Sequence, residues 1–190
     1  MHDQFYFALV NPIIAWLLSA GFAATWWRWP SQRHLATLAL AFFCLGLGFV
    51  LFDLKLLAWP GEVNIGANAL YVAAIALACV CALQRRNQPL PVLWFLIVIA
   101  AGALPFAWFL FVEPSVQARM LVMSAIFAGL TGITLRRMKQ QPATTLPDRM
   151  IAVGVGVAFL TTISRPALVL AGVLGVEGPE GFSSSEYWAS

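Results

Sequence analysis

Charged side chains are scarce in this chain of 190 residues. They make up 10% of the sequence, whereas hydrophobic residues make up 61%. A soluble domain carries about 25% charged residues, so the composition excludes an ordinary soluble protein. The period-two alternation of a half-buried strand is also missing, and this absence favours helices over strands. What the chain has instead is a series of long apolar runs.

Residues that could perform catalysis or bind a metal are equally few. The three cysteines, Cys44, Cys79 and Cys81, all fall within apolar runs, where we interpret them as ordinary buried thiols without a disulfide. The two histidines, His2 and His34, fall on opposite sides of the predicted bundle and could not share one haem. The sequence holds no HExxH, GxSxG or glycine-rich phosphate loop. We therefore expect no catalytic residue, metal or cofactor, and whether the chain is part of an enzyme stays open.

Six apolar runs are each long enough to cross a membrane. The hydrocarbon core is about 30 Å thick and takes about 20 helical residues to span. The sequence therefore predicts an all-α protein, a polytopic bundle of six transmembrane helices in one domain, residues 1–176. The predicted spans are residues 5–27, 35–57, 63–83, 90–112, 116–135 and 150–176.

The loops between these runs differ strongly in charge. Loops one, three and five hold eight of the eleven basic residues and a single acid, Asp148. The positive-inside rule makes those loops cytoplasmic, so the N-terminus is expected outside a bacterial inner membrane. We interpret the basic loops as solvated topology signals, and they imply no nucleic-acid partner. The basic residues are Arg28, Arg33, Arg85, Arg86, Arg136, Arg137, Lys139 and Arg149.

The C-terminal segment, residues 177–190, is polar and rich in turn-forming residues before it ends near Tyr187 and Trp188. With six crossings it is expected to lie outside. A tyrosine and a tryptophan together are typical of the membrane interface just before a span. We therefore expect a seventh helix after this segment, which would make the chain a fragment of a longer protein.

Arg165 lies deep inside the last apolar run. A cation at the centre of a bilayer costs roughly 3 to over 10 kcal/mol, so such a residue faces the protein interior and has a partner. Asp53 and Glu113 could each neutralise it. Asp53 is the expected partner because it lies closer to Arg165 in predicted depth.

Several polar side chains on different helices fall at one predicted depth, if each helical residue rises about 1.5 Å. Tyr71 and Asn64 are near enough to join them. Two interpretations stay open, with a proton or ion path as a third. The layer could hold the helices together through interhelical hydrogen bonds, or it could line a ligand-sensing pocket open to the outside. The members of this polar layer are Asn11, Asp53, Asn68, Arg119, Ser124 and Arg165.

Five short segments give the chain a family resemblance. They read FALVNP at 7–12, GLGF at 46–49, ANAL at 67–70, ARMLVMS at 118–124 and SRP at 164–166. Over essentially its whole length the chain resembles the N-terminal multi-pass membrane sensor region that precedes GGDEF domains in bacterial diguanylate cyclases. The GGDEF signature itself is not in these 190 residues.

That resemblance implies a sensory input region in the bacterial inner membrane. Its partners would be the lipid bilayer, a second copy of the chain in a homodimer, and an attached cytoplasmic GGDEF domain that makes cyclic di-GMP. An external or membrane-borne small ligand would act at the polar layer. Two alternatives are a small multi-pass transporter, with helix kinks at Pro105 and Pro166, and a structural membrane protein. The transporter would be expected to carry an inverted repeat, and none is visible in the sequence.

Overall fold

The structure, a computed structural model, describes residues 2–54, 60–140 and 145–170. These residues form six α-helices and no strand, which confirms the prediction of an all-α fold. All six helices are long and apolar enough to cross a membrane, so a polytopic membrane bundle is also confirmed. The helices are α1 (His2–Arg28), α2 (Arg33–Leu54), α3 (Pro60–Arg85), α4 (Val92–Phe111), α5 (Val116–Lys139) and α6 (Leu146–Leu170).

Two helices extend furthest beyond the predicted apolar spans, by four residues each, at the end of the bundle where the chain is basic. Helix α5 continues to Lys139, because its last turn carries three cations that interact favourably with the negative end of the helix dipole. Helix α6 begins at Leu146, four residues before the predicted span. The end of the predicted sixth span, the segment 177–190 and the expected seventh helix lie outside the described residues.

The early start of α6 comes from an N-cap at Thr145. The Thr145 hydroxyl donates to the Asp148 carboxylate at 2.6 Å and accepts from the Asp148 backbone N–H at 3.4 Å. The bond from the Asp148 N–H satisfies a backbone donor that the first helical turn leaves without a carbonyl partner. The bond between the two side chains holds the hydroxyl in place. A polar Thr-x-x-Asp sequence therefore sets the helix start, upstream of the first apolar residues that mark the span.

Helix α3 ends in a left-handed turn at Asn87, which has φ +51°. Gln88 donates its backbone N–H to the Leu83 carbonyl at 3.0 Å, and Asn87 donates to the Gln84 carbonyl at 3.0 Å. This is the hydrogen-bond pattern of a Schellman motif, and asparagine adopts the left-handed conformation more readily than most residues. The turn reverses the chain at the end of α3 before α4 begins.

The helices pack in a simple order. Helix α1 packs on α2, α2 on α3, and α3 on α5, while α4 and α6 flank α5. The bundle therefore has two halves, α1–α3 and α4–α6, that meet mainly along α3 and α5. The buried core lies at this seam, whereas large apolar side chains elsewhere, such as Leu104, face outward as lipid contacts would. Core members are Cys79, Ala82, Leu83, Phe95, Ile126, Leu130 and Met138.

Two neighbouring arginines join the halves at the end where α3 and α5 finish. We call this the basic end, and it comprises the loops α1–α2, α3–α4 and α5–α6. Arg85 Nε lies 3.2 Å from Asp148 Oδ1 at the start of α6. Arg86 Nη1 donates to the Met138 carbonyl in the last turn of α5 at 2.8 Å. These half-buried side chains have structural partners, so the interpretation of them as solvated loop residues was wrong.

Helices α4 and α5 approach closely through a reciprocal pair of glycines. A Cβ atom at Gly102 of α4 would overlap Ile126 of α5, and a Cβ atom at Gly129 of α5 would lie 2.8 Å from Cγ1 of Val98 of α4. Each glycine thus receives a branched side chain from the facing helix. Small residues permit this kind of contact in membranes, where packing rather than hydrophobic burial holds helices together.

Candidate functional site

The end of the bundle opposite the basic end contains a pocket of about 520 Å³ between α2, α3, α4, α5 and α6. It combines polar groups with aromatic, methionine and other apolar walls, and we call it the polar pocket. Its polar residues are Asn68, Tyr71, Gln117, Arg119, Ser124, Thr161 and Thr162. Its apolar residues are Phe52, Phe106, Val116, Met120, Leu121, Met123, Phe127 and Pro166.

Arg119 supplies the pocket with a cation that is only 9% exposed. It is the fourth residue of α5, and its Nε points back to the Ser115 carbonyl at 3.4 Å. The first turn of α5 contains no acidic residue. A helix N-terminus carries a partial positive charge, which an arginine adds to rather than neutralises. The start of α5 therefore brings an arginine and a helix N-terminus to the same wall of the pocket.

Ser115 fixes the geometry of that wall. It has an extended backbone, φ −140° and ψ 112°, and its hydroxyl accepts the Ala118 N–H at 3.2 Å. Serine is a preferred N-cap because its side chain satisfies a donor of the first turn. The cap determines where α5 begins and so places Arg119 one turn inside the helix, where it lines the pocket.

Asn68 and Tyr71 lie one turn apart on α3 and so share a face of that helix. Both are half-buried and line the pocket. The Tyr71 ring contacts Phe49 edge to face, with centroids 5.6 Å apart. It also lies against Gly48, where a Cβ atom would come within 2.7 Å of the ring. These contacts with α2 hold the Tyr71 ring in place at the pocket wall.

Two threonines of α6 also line the pocket, and sequence reasoning did not identify them. Thr161 donates its hydroxyl hydrogen to the Ala158 carbonyl at 2.9 Å, and Thr162 donates to Phe159 at 2.8 Å. Their oxygens keep lone pairs that can accept a further hydrogen bond. Their spacing from Arg165 could have identified them. Both threonines precede Arg165 by one helical turn, and this spacing places them on the same side of α6.

The structure brings together three of the six members of the predicted polar layer. Asn68, Arg119 and Ser124 line one pocket, and Tyr71 joins them as expected. Asn11 does not line the pocket. It is exposed on α1, whose main neighbour is α2. A shared depth is compatible with a shared pocket, but depth alone does not say which way a residue faces.

The predicted pair of Asp53 and Arg165 stays a prediction. Both positions belong to described helices, α2 and α6, but their side chains and that of Asn64 lie outside the described residues. Their sequence neighbours, Phe52 and Pro166, do line the polar pocket. Within the described ranges, no group of three histidine, cysteine or acidic residues lies close enough to hold a metal ion.

Comparison with known proteins gives no match: no family model, curated protein or solved structure is similar to this chain at a significant level. The geometry of the bundle and the short sequence motifs therefore carry the functional argument.

Proposed function

We propose that this chain is the membrane-embedded sensory input region of a bacterial signalling protein of the inner membrane. The observation that carries the proposal is the polar pocket, in which the buried cation Arg119 lies beside the start of α5. A charged side chain inside a membrane bundle is expensive and is typically functional. The motifs that carry the family resemblance include these residues, since Asn68 belongs to ANAL and Arg119 and Ser124 belong to ARMLVMS.

The pocket favours a small amphiphilic ligand with an anionic head. Arg119 and the N-terminus of α5 would attract the negative group, and Tyr71 and Asn68 bring a hydroxyl and an amide to the same pocket. Methionine and phenylalanine side chains, such as Met123 and Phe127, would contact an apolar body. A volume of about 520 Å³ lies within the range of small-molecule sites, roughly 300–1,000 Å³.

The pocket is also suited to transmit a signal because residues from both halves line it. Asn68 and Tyr71 belong to the α1–α3 half, and Arg119 and Thr162 belong to the α4–α6 half. A ligand that contacts both halves favours the arrangement in which those contacts are best, and so shifts the population of packing states. In the proposed protein this shift controls the dimer of an attached cytoplasmic diguanylate cyclase.

A fusion protein tests this function. The chain is joined through one further membrane span to a GGDEF domain, and cyclic di-GMP is measured in cells at equal protein levels. Asn68→Leu should change cyclic di-GMP several-fold, because it removes an amide from the pocket. Asn11→Leu makes the same chemical change on an exposed face of α1 and should leave the nucleotide level unchanged.

Equal cyclic di-GMP in both variants and the parent fusion would contradict the sensory role. The transporter alternative makes a different prediction, which the same cells can test. Uptake of a labelled amphiphilic anion that depends on Asn68, with cyclic di-GMP unaffected, would replace the sensor by a transporter.

The orientation of the bundle is a second prediction of the proposal. Ser31 and Gln140 are exposed at the basic end, which the positive-inside rule places in the cytoplasm. Single cysteines at these positions, in a background without Cys44, Cys79 and Cys81, should react with a membrane-impermeant maleimide only after the cells are opened. A cysteine replacing the exposed Glu113, at the opposite end, should react in intact cells. The reverse pattern would invert the topology.

A further inference from the structure

The basic end contains a second cavity, of about 880 Å³, between the start of α2, the end of α3 and the start of α6. We call it the basic-end cavity. Among the described residues that line it, Leu90 alone is apolar, in contrast to the mixed walls of the polar pocket. The exposed residues at its rim open it to the surface. Its polar lining comprises Ser31, Gln32, Arg33, His34, Gln84, Arg85, Asn87, Gln88, Thr145 and Asp148.

Gln88 is the residue that indicates a ligand. It is only 7% exposed, and its side-chain Nε2 has no hydrogen-bond partner within the part of the chain that the structure describes. The Schellman turn holds it there, because its backbone N–H is bonded to the Leu83 carbonyl. A buried donor without an acceptor is costly, and most such groups in native proteins are satisfied. Gln88 therefore brings to this cavity an amide whose acceptor is not supplied by residues 2–54, 60–140 or 145–170.

The charges around Gln88 favour an acceptor that is negative. Arg33 and Arg85 contribute two positive charges and Asp148 one negative charge. Both carboxylate oxygens of Asp148 already have donors, since Oδ1 lies 3.2 Å from Arg85 Nε and Oδ2 accepts from Thr145 at 2.6 Å. The cavity is therefore net positive, and its acid is neutralised inside the protein.

Further donors face the same cavity. The ion pair uses only Nε of Arg85, and Nη1 lies 3.5 Å from His34 Nε2, which leaves other guanidinium N–H groups for a ligand. Helix α2 begins at Arg33 with no acidic residue in its first turn. The positive end of its dipole adds to the two arginines, and helix N-termini of this kind are suited to bind oxyanions.

We propose that the basic-end cavity binds the oxyanion of a phosphate group, with Gln88, Arg33 and Arg85 as its donors. Arginine presents several N–H groups in a planar fork that matches phosphate oxygens, and the Gln88 amide would complete the set. The phosphate could belong to an anionic lipid headgroup at the bilayer surface or to a free phosphate ion. This site is separate from the polar pocket and does not depend on the sensory role.

The purified chain in a neutral detergent tests the proposal by its melting temperature. Three probes are titrated at matched ionic strength: inorganic phosphate against chloride, short-chain phosphatidylglycerol, and phosphatidylcholine of the same chain length. At least one anionic probe should raise the Tm, because a ligand that binds only the folded state stabilises it. A rise with phosphatidylglycerol alone identifies the headgroup as the source, and a rise with inorganic phosphate identifies the free ion.

Two variants locate the site. Gln88→Leu removes the buried donor at similar volume, and Arg33→Gln removes an exposed cation at the cavity without breaking the Arg85–Asp148 pair. Each should weaken binding about tenfold or more, because hydrogen bonds to charged groups are strong. The matched controls are Gln140→Leu and Arg136→Gln, which make the same changes at exposed positions of the basic end outside the cavity. Both should bind as the parent chain does.

Three results would overturn the proposal. The first is that neither anionic probe changes the Tm. The second is that phosphatidylcholine and phosphatidylglycerol raise it equally, which would assign the effect to the acyl chains. The third is that the paired variants and controls keep the same affinity. If Gln88→Leu fails to fold, Arg33→Gln against Arg136→Gln decides alone.

Discussion

Arg119→Gln should remove the preference of the polar pocket for an anion. We expect decanoate to raise the Tm of the purified chain more than decanol, which has the same chain length without the charge. In the variant this difference should disappear, because the amide cannot supply the cation that the carboxylate contacts. Loss of a hydrogen bond to a charged group corresponds to about 1.5–3 kcal/mol, or about tenfold or more in affinity.

The matched control for this experiment is Arg136→Gln, an exposed arginine of the same helix at the basic end. It should keep the full difference between decanoate and decanol. Arg119→Lys should keep part of it, since lysine retains the charge but lacks the planar fork of donors. A full preference for decanoate in Arg119→Gln would show that the buried cation has no role in ligand binding.

Gly102→Val should destabilise the bundle by disrupting the contact between α4 and α5. The new side chain would overlap Ile126, which is 4% exposed within the core, so either the side chain or the helix must move. Extra volume in a packed core costs about 1–3 kcal/mol, and the loss of helix contact would add to that. The measurement is the Tm of the purified variant in neutral detergent.

A compensating substitution in α5 and a control glycine in α6 make this prediction specific. Ile126→Ala should restore much of the Tm lost in Gly102→Val, but not that lost in Gly129→Val, whose steric partner is Val98. Gly154→Val makes the same substitution on α6, where no atom lies within 4 Å of the new Cβ, and should change the Tm little. If Gly154→Val costs as much as Gly102→Val, helix propensity rather than packing explains the loss.

The helices were predictable because a membrane span needs only length and apolar composition. The end of α5 and the start of α6 were less predictable, because polar turns extend both helices past the apolar runs. In α6 the Thr145 cap, which bonds Asp148, decides the start, and in α5 the final cations lengthen the helix. Apolar runs measure the thickness of the hydrocarbon core and do not determine where the hydrogen-bonded helix stops.

The polar pocket was only partly predictable, because depth and direction are separate properties. Asn68 and Arg119 shared a predicted depth and share a pocket, whereas Asn11 shared the depth but faces outward from α1. Direction depends on which helices become neighbours, and one sequence does not reveal that. Thr161 and Thr162 were missed because hydroxyls bonded to their own helix look like ordinary helix residues.

The basic loops contained a sequence signal for the contacts between the two halves, and it was missed. Charge asymmetry predicted a side of the membrane, but it did not predict that Arg85 binds Asp148 or that Arg86 binds the end of α5. The clue was the presence of one acid, Asp148, among eight basic residues. A lone acid in a basic segment is best interpreted as a partner for one of the cations.

The seam between α3 and α5 is a line about which the two halves of the bundle could rock relative to each other. The two halves meet mainly along this line, the core side chains Leu83 and Leu130 are fully buried on it, and one cavity lies at each end. If one half rocks about a point midway along the seam, the cavity at one end widens while the other narrows. Any two ligands that occupy the two cavities would then influence each other's affinity by the same factor, as thermodynamic linkage requires.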